Sequence, residues 1–308
     1  MDTTTGVCAK RNWHDYNQKL VNETVDLFVH RDVLESFKKL DSLNEGKVGH
    51  PFEYANSVIL MISAVRNYFH LPYRQAEGFA TLLGGVWGAK IPSYSQICRR
   101  QKTLNVPLDV DKKYAGDQPV DIIIDSSGLK VSNRGEWMRQ KWKVRRGFVK
   151  IHLTCDLKTH AITSVQVTDE HVHDSTQFKN LVTNANERVR KIGKVFGDTS
   201  YDSRENFNHV GSLGAEPVIK PRKNSSGKSK GSYLRGKTAK EFIKDPKRWK
   251  ENHKYGQRWQ VETSISTFKR SLGECITSIL PVGILNEVLS KCMTYNIMAS
   301  HRGGTVIQ

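Results

Sequence analysis

Residues 119 to 131 read PVDIIIDSSGLKV. Their unbroken aliphatic run constrains the fold more than any other stretch. A strand with one wet face alternates apolar and polar residues, whereas a continuous run belongs to a strand buried on both faces. This stretch therefore predicts a central strand. FVKIHLTCDL and AITSVQVTD follow as two further strands, and the KTH between them makes the tight turn of a hairpin. DSTQFKNLVTNANERVRKI reads as a helix capped by Asp174 or Ser175. GKVFGDTSYDS is a strand ending at Asp198, RENFNHVGSLG a short helix closed by glycine, and AEPVIKP a last strand. RKNSSGKSKGSYLRGK reads as a mobile Gly/Ser/Lys loop, and long helices follow through residue 301. The order is three strands, helix, strand, helix, strand, loop, helices, which is an α/β (α+β) chain.

Residues 1 to 115 read as a separate helical region. YNQKLVNETVDLFVHRDVLESFKKL and EYANSVILMISAVRNYF both carry apolar positions at helical period. LPYRQAEGFATLLGGVWGAKIPSYSQICRRQKTL offers two short helices around a Gly-rich turn, with Pro72 before the first and Ser93 capping the second. The second helix is expected to expose Arg99, Arg100 and Lys102. Helix, turn and basic helix is the outline of a DNA-reading helix-turn-helix, and equally of an ordinary helical bundle. The balance of 48 Lys and Arg against 31 Asp and Glu gives a formal charge of +17. Such an excess favours a polyanionic partner, with nucleic acid ahead of an anionic membrane surface. No apolar run is long enough to span a bilayer, and the five scattered cysteines form no C-x-x-C pair. A cytoplasmic protein with reduced thiols is expected.

Two acids follow strands of the buried kind: Asp125 after DIII and Asp198 after KVFG. Strand ends at one sheet edge are where α/β proteins collect functional side chains, although an Asp there is often only a turn former or cap. A third acid, Glu262, lies in YGQRWQVETSISTFKR, which reads as one helix. At about 100° per residue and with Tyr255 at zero, Arg258 falls at about −60°, Glu262 at about −20° and Lys269 at about −40°. Val261, Ile265, Phe268 and Leu272 form a separate apolar stripe near −110°. The polar stripe suits a surface salt-bridge ladder, or a face turned toward the two aspartates. Three converging carboxylates would need a cation, and oxygen-only ligands suit Mg²⁺ or Mn²⁺. Two such ions activate a water or a 3′-hydroxyl and stabilise the leaving oxygen of a phosphodiester.

The spacing Y-x2-R-x3-E-x6-K, met by Tyr255, Arg258, Glu262 and Lys269, resembles the signature of DDE-class insertion-sequence transposases. It marks the superfamily that holds insertion-sequence families four and five, and the family-five type is the closer. IIIDSSGLKV resembles that family's first-Asp strand, GDTSYDS its second-Asp motif, and RRGFVKIHLTCDLKTHAITSVQVTDEHVHDS its connecting strands. The resemblance implies an RNase H-like mixed sheet flanked by helices over residues 116 to 302. A short basic insertion falls at about 221 to 240, a helical N-terminal region at 1 to 115 and a tail at 303 to 308. It implies that Asp125, Asp198 and Glu262 are catalytic and bind two Mg²⁺ ions, with Mn²⁺ able to substitute. Tyr255, Arg258 and Lys269 would be DNA ligands near the cleaved end. Such enzymes cut double-stranded DNA at the element's terminal inverted repeats and join the 3′-hydroxyls to target DNA. A homodimer would hold two ends. The rival readings are an RNase H-like nuclease without strand transfer and an inactive DNA-binding regulator.

Other segments invite a role. KVSNRGEWMRQKWKVRRGFVK, residues 130 to 150, interleaves Trp137 and Trp142 with Lys141, Lys143, Arg145 and Arg146, as suits phosphate tracking with base stacking. Trp249 and Trp259 are candidates to receive a flipped base, or packing residues. His171 and His173 read as hydrogen-bonding residues rather than metal ligands. Asp156 is expected to begin a hairpin turn and Asp202 to cap a short helix.

Overall fold

A computed structural model describes residues 44–87, 90–108, 118–131 and 147–302, with a few isolated positions before residue 44. The helix expected before residue 40, the tail at 303–308, and Lys141, Lys143, Arg145, Arg146, Trp137 and Trp142 lie outside the described residues. Among the elements of the described residues, helices α1 (Asn56–Tyr68), α2 (Tyr73–Trp87) and α3 (Tyr94–Thr103) come first. Strands β1 (Val120–Val131), β2 (Phe148–Asp156) and β3 (Ile162–Asp169) follow, then α4 (Asp174–Val189), β4 (Ile192–Gly197), α5 (Arg204–Ser212) and β5 (Glu216–Ile219). The chain continues through α6 (Tyr233–Lys244), α7 (Pro246–Asn252), α8 (Trp259–Leu272), the two-residue β6 (Cys275–Ile276) and α9 (Pro281–Arg302).

The sheet order is β3-β2-β1-β4-β5, with β6 beside the end of β1. β1, β2 and β3 form an antiparallel meander, while β4 and β5 run parallel to β1. This is the mixed RNase H-like sheet that the resemblance implies. Ile122, Ile123 and Ile124 are fully buried because alternate side chains enter two cores. Ile122 and Ile124 pack with Phe178, Leu181 and Val182 of α4 and with Phe207 of α5. Ile123 and Leu129 join Val261, Ile265 and Phe268 of α8 and Val288 and Cys292 of α9. The aliphatic stripe expected on α8 is therefore the contact that seats this helix on the sheet.

α1, α2 and α3 share a small core built on Val58, Ile62, Ala76 and Ile97. α1 and α3 also pack against α9, so the C-terminal helix ties the helical region to the sheet. Ser93 caps α3 as expected, its amide donating to the Gln96 carboxamide at 2.9 Å. Cys98, Cys155, Cys275 and Cys292 are free thiols. No helix among the described residues is long and apolar enough to cross a membrane.

Local expectations need correction in several places. β1 does not stop at Asp125: Ser126, Ser127 and Gly128 continue it, paired with His152, Ile151 and Lys150 of β2. His173, not Asp174 or Ser175, caps α4, its Nδ1 accepting from the Ser175 amide at 3.2 Å. The segment read as a loop through residue 237 becomes helical at Tyr233 and is docked rather than free: Asn208 Nδ2 donates to the Gly231 carbonyl at 2.9 Å. Asp156 does build its hairpin turn, accepting from the Lys158 amide and the Thr159 hydroxyl. Asp202 does not cap α5; Ser203 does, and Asp202 is buried in an ion pair described below.

Candidate active site

The backbone brings the two aspartates level. β1 and β4 are neighbouring parallel strands with Ile123 opposite Phe196, so counting two residues on from each sets Asp125 level with Asp198. Neighbouring strands lie about 4.8 Å apart. β4 ends at Gly197, so Asp198 leaves the sheet where β1 still runs. Asp198 also does ordinary turn work, since its Oδ1 accepts from the Ser200 amide at 2.8 Å and from the Ser200 hydroxyl.

The third acid arrives on α8. Its sequence does not form one continuous α-helix from residue 255. Lys254 takes a left-handed conformation (φ 50°), residues Tyr255–Arg258 form a 3-10 turn, and α8 begins at Trp259. Tyr255 consequently leaves the polar stripe and enters the core. It is 9% exposed, its ring stands against Trp249, and its hydroxyl donates to the Gly197 carbonyl at 3.3 Å. Burial pushes its pKa up to about 12; Arg258 opposes that, and Asp198, Asp125 and Glu262 push it further. The phenol holds the end of β4, one residue before Asp198.

Arg258 links two of the three acids. Its Nη2 donates to Glu262 Oε1 at 2.6 Å, and its Nη1 lies 3.6 Å from Asp125 Oδ2. Glu262 is largely exposed, whereas the Asp125 and Arg258 side chains are each 23% exposed. Burial raises the Asp125 carboxyl above its ordinary range. The Ser126 amide and Arg258 pull it down, and Asp198 and Glu262 push it back up. Asp125 thus feels both other acids, and one guanidinium joins it to Glu262. Among the described residues, no three His, Cys, Asp or Glu side chains stand close enough as placed to hold one ion together. The cation between the acids is the chain's own arginine. A site that holds a guanidinium between two carboxylates has the charge and the oxygen donors for a hard cation. Lys269 lies two turns along α8 from Glu262 on the same side, about 10 Å away along the axis.

The remaining candidates divide. Arg99 is exposed on α3, but Arg100 is not presented to solvent as expected. It donates to the Tyr54 carbonyl at 3.3 Å and to Asn56 Oδ1, with its guanidinium 4.0 Å above the Phe52 ring. Trp249 is buried against Phe242 and Tyr255, which removes it as a base receptor, while Trp259 is half exposed. His171 stands 3.3 Å from Glu170.

Sequence reasoning passed over two groups. Asp202 is one, for its partners lie 20 to 33 residues further on. The other is Lys150, His152 and Asp174: Lys150 Nζ is 2.6 Å and His152 Nδ1 3.3 Å from Asp174 Oδ1, and His152 Nε2 is 2.9 Å from the Thr168 hydroxyl. The K-x-H spacing on a strand was the one available signal for it.

A mixed sheet of this order, an antiparallel meander followed by two parallel strands with helices packed on both faces, is an RNase H-like fold. The chain belongs to the DDE transposase family: the Transposase DDE domain matches residues 116–297. A second domain of the same description matches residues 23–134, in agreement with the resemblance to the family-five type. Among solved structures, the chain is similar to piggyBac transposase in a synaptic complex with hairpin DNA. The identity there is 11%, over 94% of this chain and 77% of that one, with a TM-score of 0.40. It is also similar to the Mos1 transposase in a paired-end complex with the left transposon end, at 12% identity over 80% and 98% of the two chains and a TM-score of 0.24. A chain of the simian T-cell lymphotropic virus intasome matches at 11% identity over 68% of each chain, with a TM-score of 0.26.

Proposed function

We propose that the protein is a DNA transposase whose reacting centre is Asp125, Asp198 and Glu262. It cuts double-stranded DNA at the terminal inverted repeats of its element and joins the freed 3′-hydroxyls to target DNA. The observation that carries this reading is the register that sets Asp125 level with Asp198 while Arg258 links Asp125 to Glu262.

Two Mg²⁺ ions, or Mn²⁺ in their place, would be held by the three carboxylates and would supply a nucleophile at neutral pH and charge stabilisation at the leaving oxygen. In the first step a water oxygen bonds to phosphorus as the bond to the 3′-oxygen breaks. In the second that 3′-oxygen attacks a target phosphodiester, gives up its proton and displaces another 3′-oxygen. Arg258 turns from its carboxylate partners to the phosphodiester, where its planar fork holds two oxygens at once. Lys269 holds a phosphate farther along the strand. Tyr255 fixes the Asp198 turn from behind rather than touching DNA. A homodimer would hold the two ends.

The test is a strand-transfer assay on end-carrying duplexes with Mg²⁺. Wild-type protein should give joined products, and Asp125→Asn, Asp198→Asn and Glu262→Gln should each give none while still binding the duplex. Cleavage without joining would favour the nuclease reading. Undiminished products from all three variants would overturn the assignment of the acids.

A further inference from the structure

Asp202 lies four residues after Asp198 and is one of the most completely partnered side chains of the described residues. Its carboxylate is fully buried. Arg235 reaches it with two prongs, Nε to Oδ1 at 2.6 Å and Nη2 to Oδ2 at 3.0 Å. The Arg222 amide donates to Oδ2 at 2.9 Å and the Ser225 hydroxyl at 2.8 Å. Burial alone would raise this carboxyl; Arg235, the Arg222 amide and Ser225 outweigh it and hold the group below its ordinary value.

All these donors come from one segment, residues 220 to 240, between β5 and the middle of α6. The segment leaves the sheet beside the acids: the Lys220 amide donates to the Gly197 carbonyl, and Arg222 Nε donates to the Thr199 carbonyl at 3.2 Å. It then closes on α6, where Gly236 approaches Ser229 so tightly that a Cβ would lie 2.8 Å from the Ser229 Cα. The Ser232 hydroxyl caps α6, accepting from the Arg235 amide. Its composition is Gly, Ser and Lys, which by itself favours a flexible chain; these contacts give it one shape instead. Lys223, Lys228, Lys230 and Lys237 point outward along it, and no described carboxylate pairs with them. The one arginine that is neutralised, Arg235, is the one spent on Asp202.

We propose that Asp202 is a positioning residue: it locks the basic 220–240 arm onto the Asp198 turn, so that Lys223, Lys228 and Lys230 form a fixed row of phosphate ligands beginning at the acidic edge. This rests on the reading of the protein as a DNA transposase. A tethered row binds a polyanion without first being ordered, and each phosphate it neutralises releases counterion, so its presence is written in the salt dependence of binding.

The experiment uses full-length protein, a mixed-sequence DNA duplex and amide hydrogen exchange. In Asp202→Asn, amides of residues 222 to 232 should exchange at least about tenfold faster, with those of β1 and β4 unchanged. Its duplex affinity should fall roughly tenfold at fixed salt. The triple variant Lys223→Gln, Lys228→Gln, Lys230→Gln should keep the wild-type exchange pattern but lower the slope of log affinity against log salt by about two to three. Should Asp202→Asn fail to fold, Arg235→Lys, which keeps the charge and gives up the two-pronged contact, replaces it with the same expectations. Unchanged arm protection would refute the anchor, and an unchanged salt slope in the triple variant would refute the phosphate row. A wild-type protein that binds no duplex would sink the transposase reading along with this one. Wild-type binding with indifferent variants would sink this one alone.

Discussion

Arg258 stands where a metal-dependent site would need a metal, so removing it should separate metal affinity from activity. Consider Arg258→Gln. At 3.6 Å from Asp125, the guanidinium contributes about 1 kcal/mol of Coulomb attraction at the dielectric of water and about 5 kcal/mol at an effective dielectric of 20. Both side chains are about a quarter exposed, and side-chain ordering and solvent take most of the upper figure, which leaves roughly 1–2 kcal/mol. The i,i+4 pair with the exposed Glu262 adds about 0.5 kcal/mol. Metal-free Arg258→Gln should therefore be less stable than wild type by about 2 kcal/mol at neutral pH. A divalent cation entering the wild-type site must displace these contacts; in the variant it need not. Mn²⁺ affinity, read by isothermal titration calorimetry on DNA-free protein, should rise about ten- to thirtyfold. Strand transfer should fall in the same variant, because the phosphate has lost its fork. Asp125→Asn, as the control, should bind Mn²⁺ weakly. If Arg258→Gln binds Mn²⁺ more weakly than wild type, the arginine is not a competitor for the site and the reasoning fails.

Other perturbations follow from individual contacts. Tyr255→Phe loses one hydrogen bond to Gly197, whose carbonyl keeps the Lys220 amide, so urea denaturation should show a loss of only about 0.5–1 kcal/mol, whereas Tyr255→Ala should lose about 3–5 kcal/mol. Gly236→Ala should destabilise although alanine is the better helix former by about 1 kcal/mol, because the new Cβ meets the Ser229 backbone; a raised denaturation midpoint would contradict the packing. Burial holds His152 below the ordinary histidine pKa of 6.5. Its contribution to stability is therefore complete above that value and lost as pH falls through the lowered one. His152→Gln should flatten the acid side of the stability profile by up to about 1.4 kcal/mol per pH unit. His160 and His209, lowered for the same first cause, keep part of the slope in place.

What the sequence disclosed was set by neighbours in the chain. Three isoleucines announce a buried strand, a three-residue turn announces a hairpin, and the apolar stripe of Val261, Ile265, Phe268 and Leu272 announces the face of α8 that meets the sheet. What it withheld depended on neighbours in space. Ser126, Ser127 and Gly128 lack a strand's composition, yet β2 extends β1 through them by pairing. Tyr255 occupies the right angular position for a straight helix. The left-handed Lys254 and the 3-10 turn rotate it into the core, and no residue type in YGQR advertises that. His173 caps α4 because its Nδ1 accepts as a carboxylate would, which displaces the commoner cap residues beside it. Asp202 looked like a cap because the donors that claim it come from a segment whose composition promised no structure.

The same distinction governs the charge. A formal +17 reads as one polyelectrolyte when residues are only counted, but the fold gives four of its arginines fixed partners and leaves the lysines of the 220–240 arm outside. Arg100 bonds to Tyr54 and Asn56, Arg188 donates to the Thr163 carbonyl, Arg235 grips Asp202, and Arg258 bridges Asp125 and Glu262. Each uses the rigid fork that makes a guanidinium suited to fixed, directional contacts. The arm carries Lys223, Lys228, Lys230 and Lys237 outward, and a flexible ammonium follows a phosphate backbone without demanding one geometry. These four arginines therefore build the molecule, and the lysines of the arm are left to solvent. Replacing outward lysines should change salt dependence while leaving stability almost untouched, and replacing these arginines should do the reverse, except at Arg258, where structure and chemistry share one side chain.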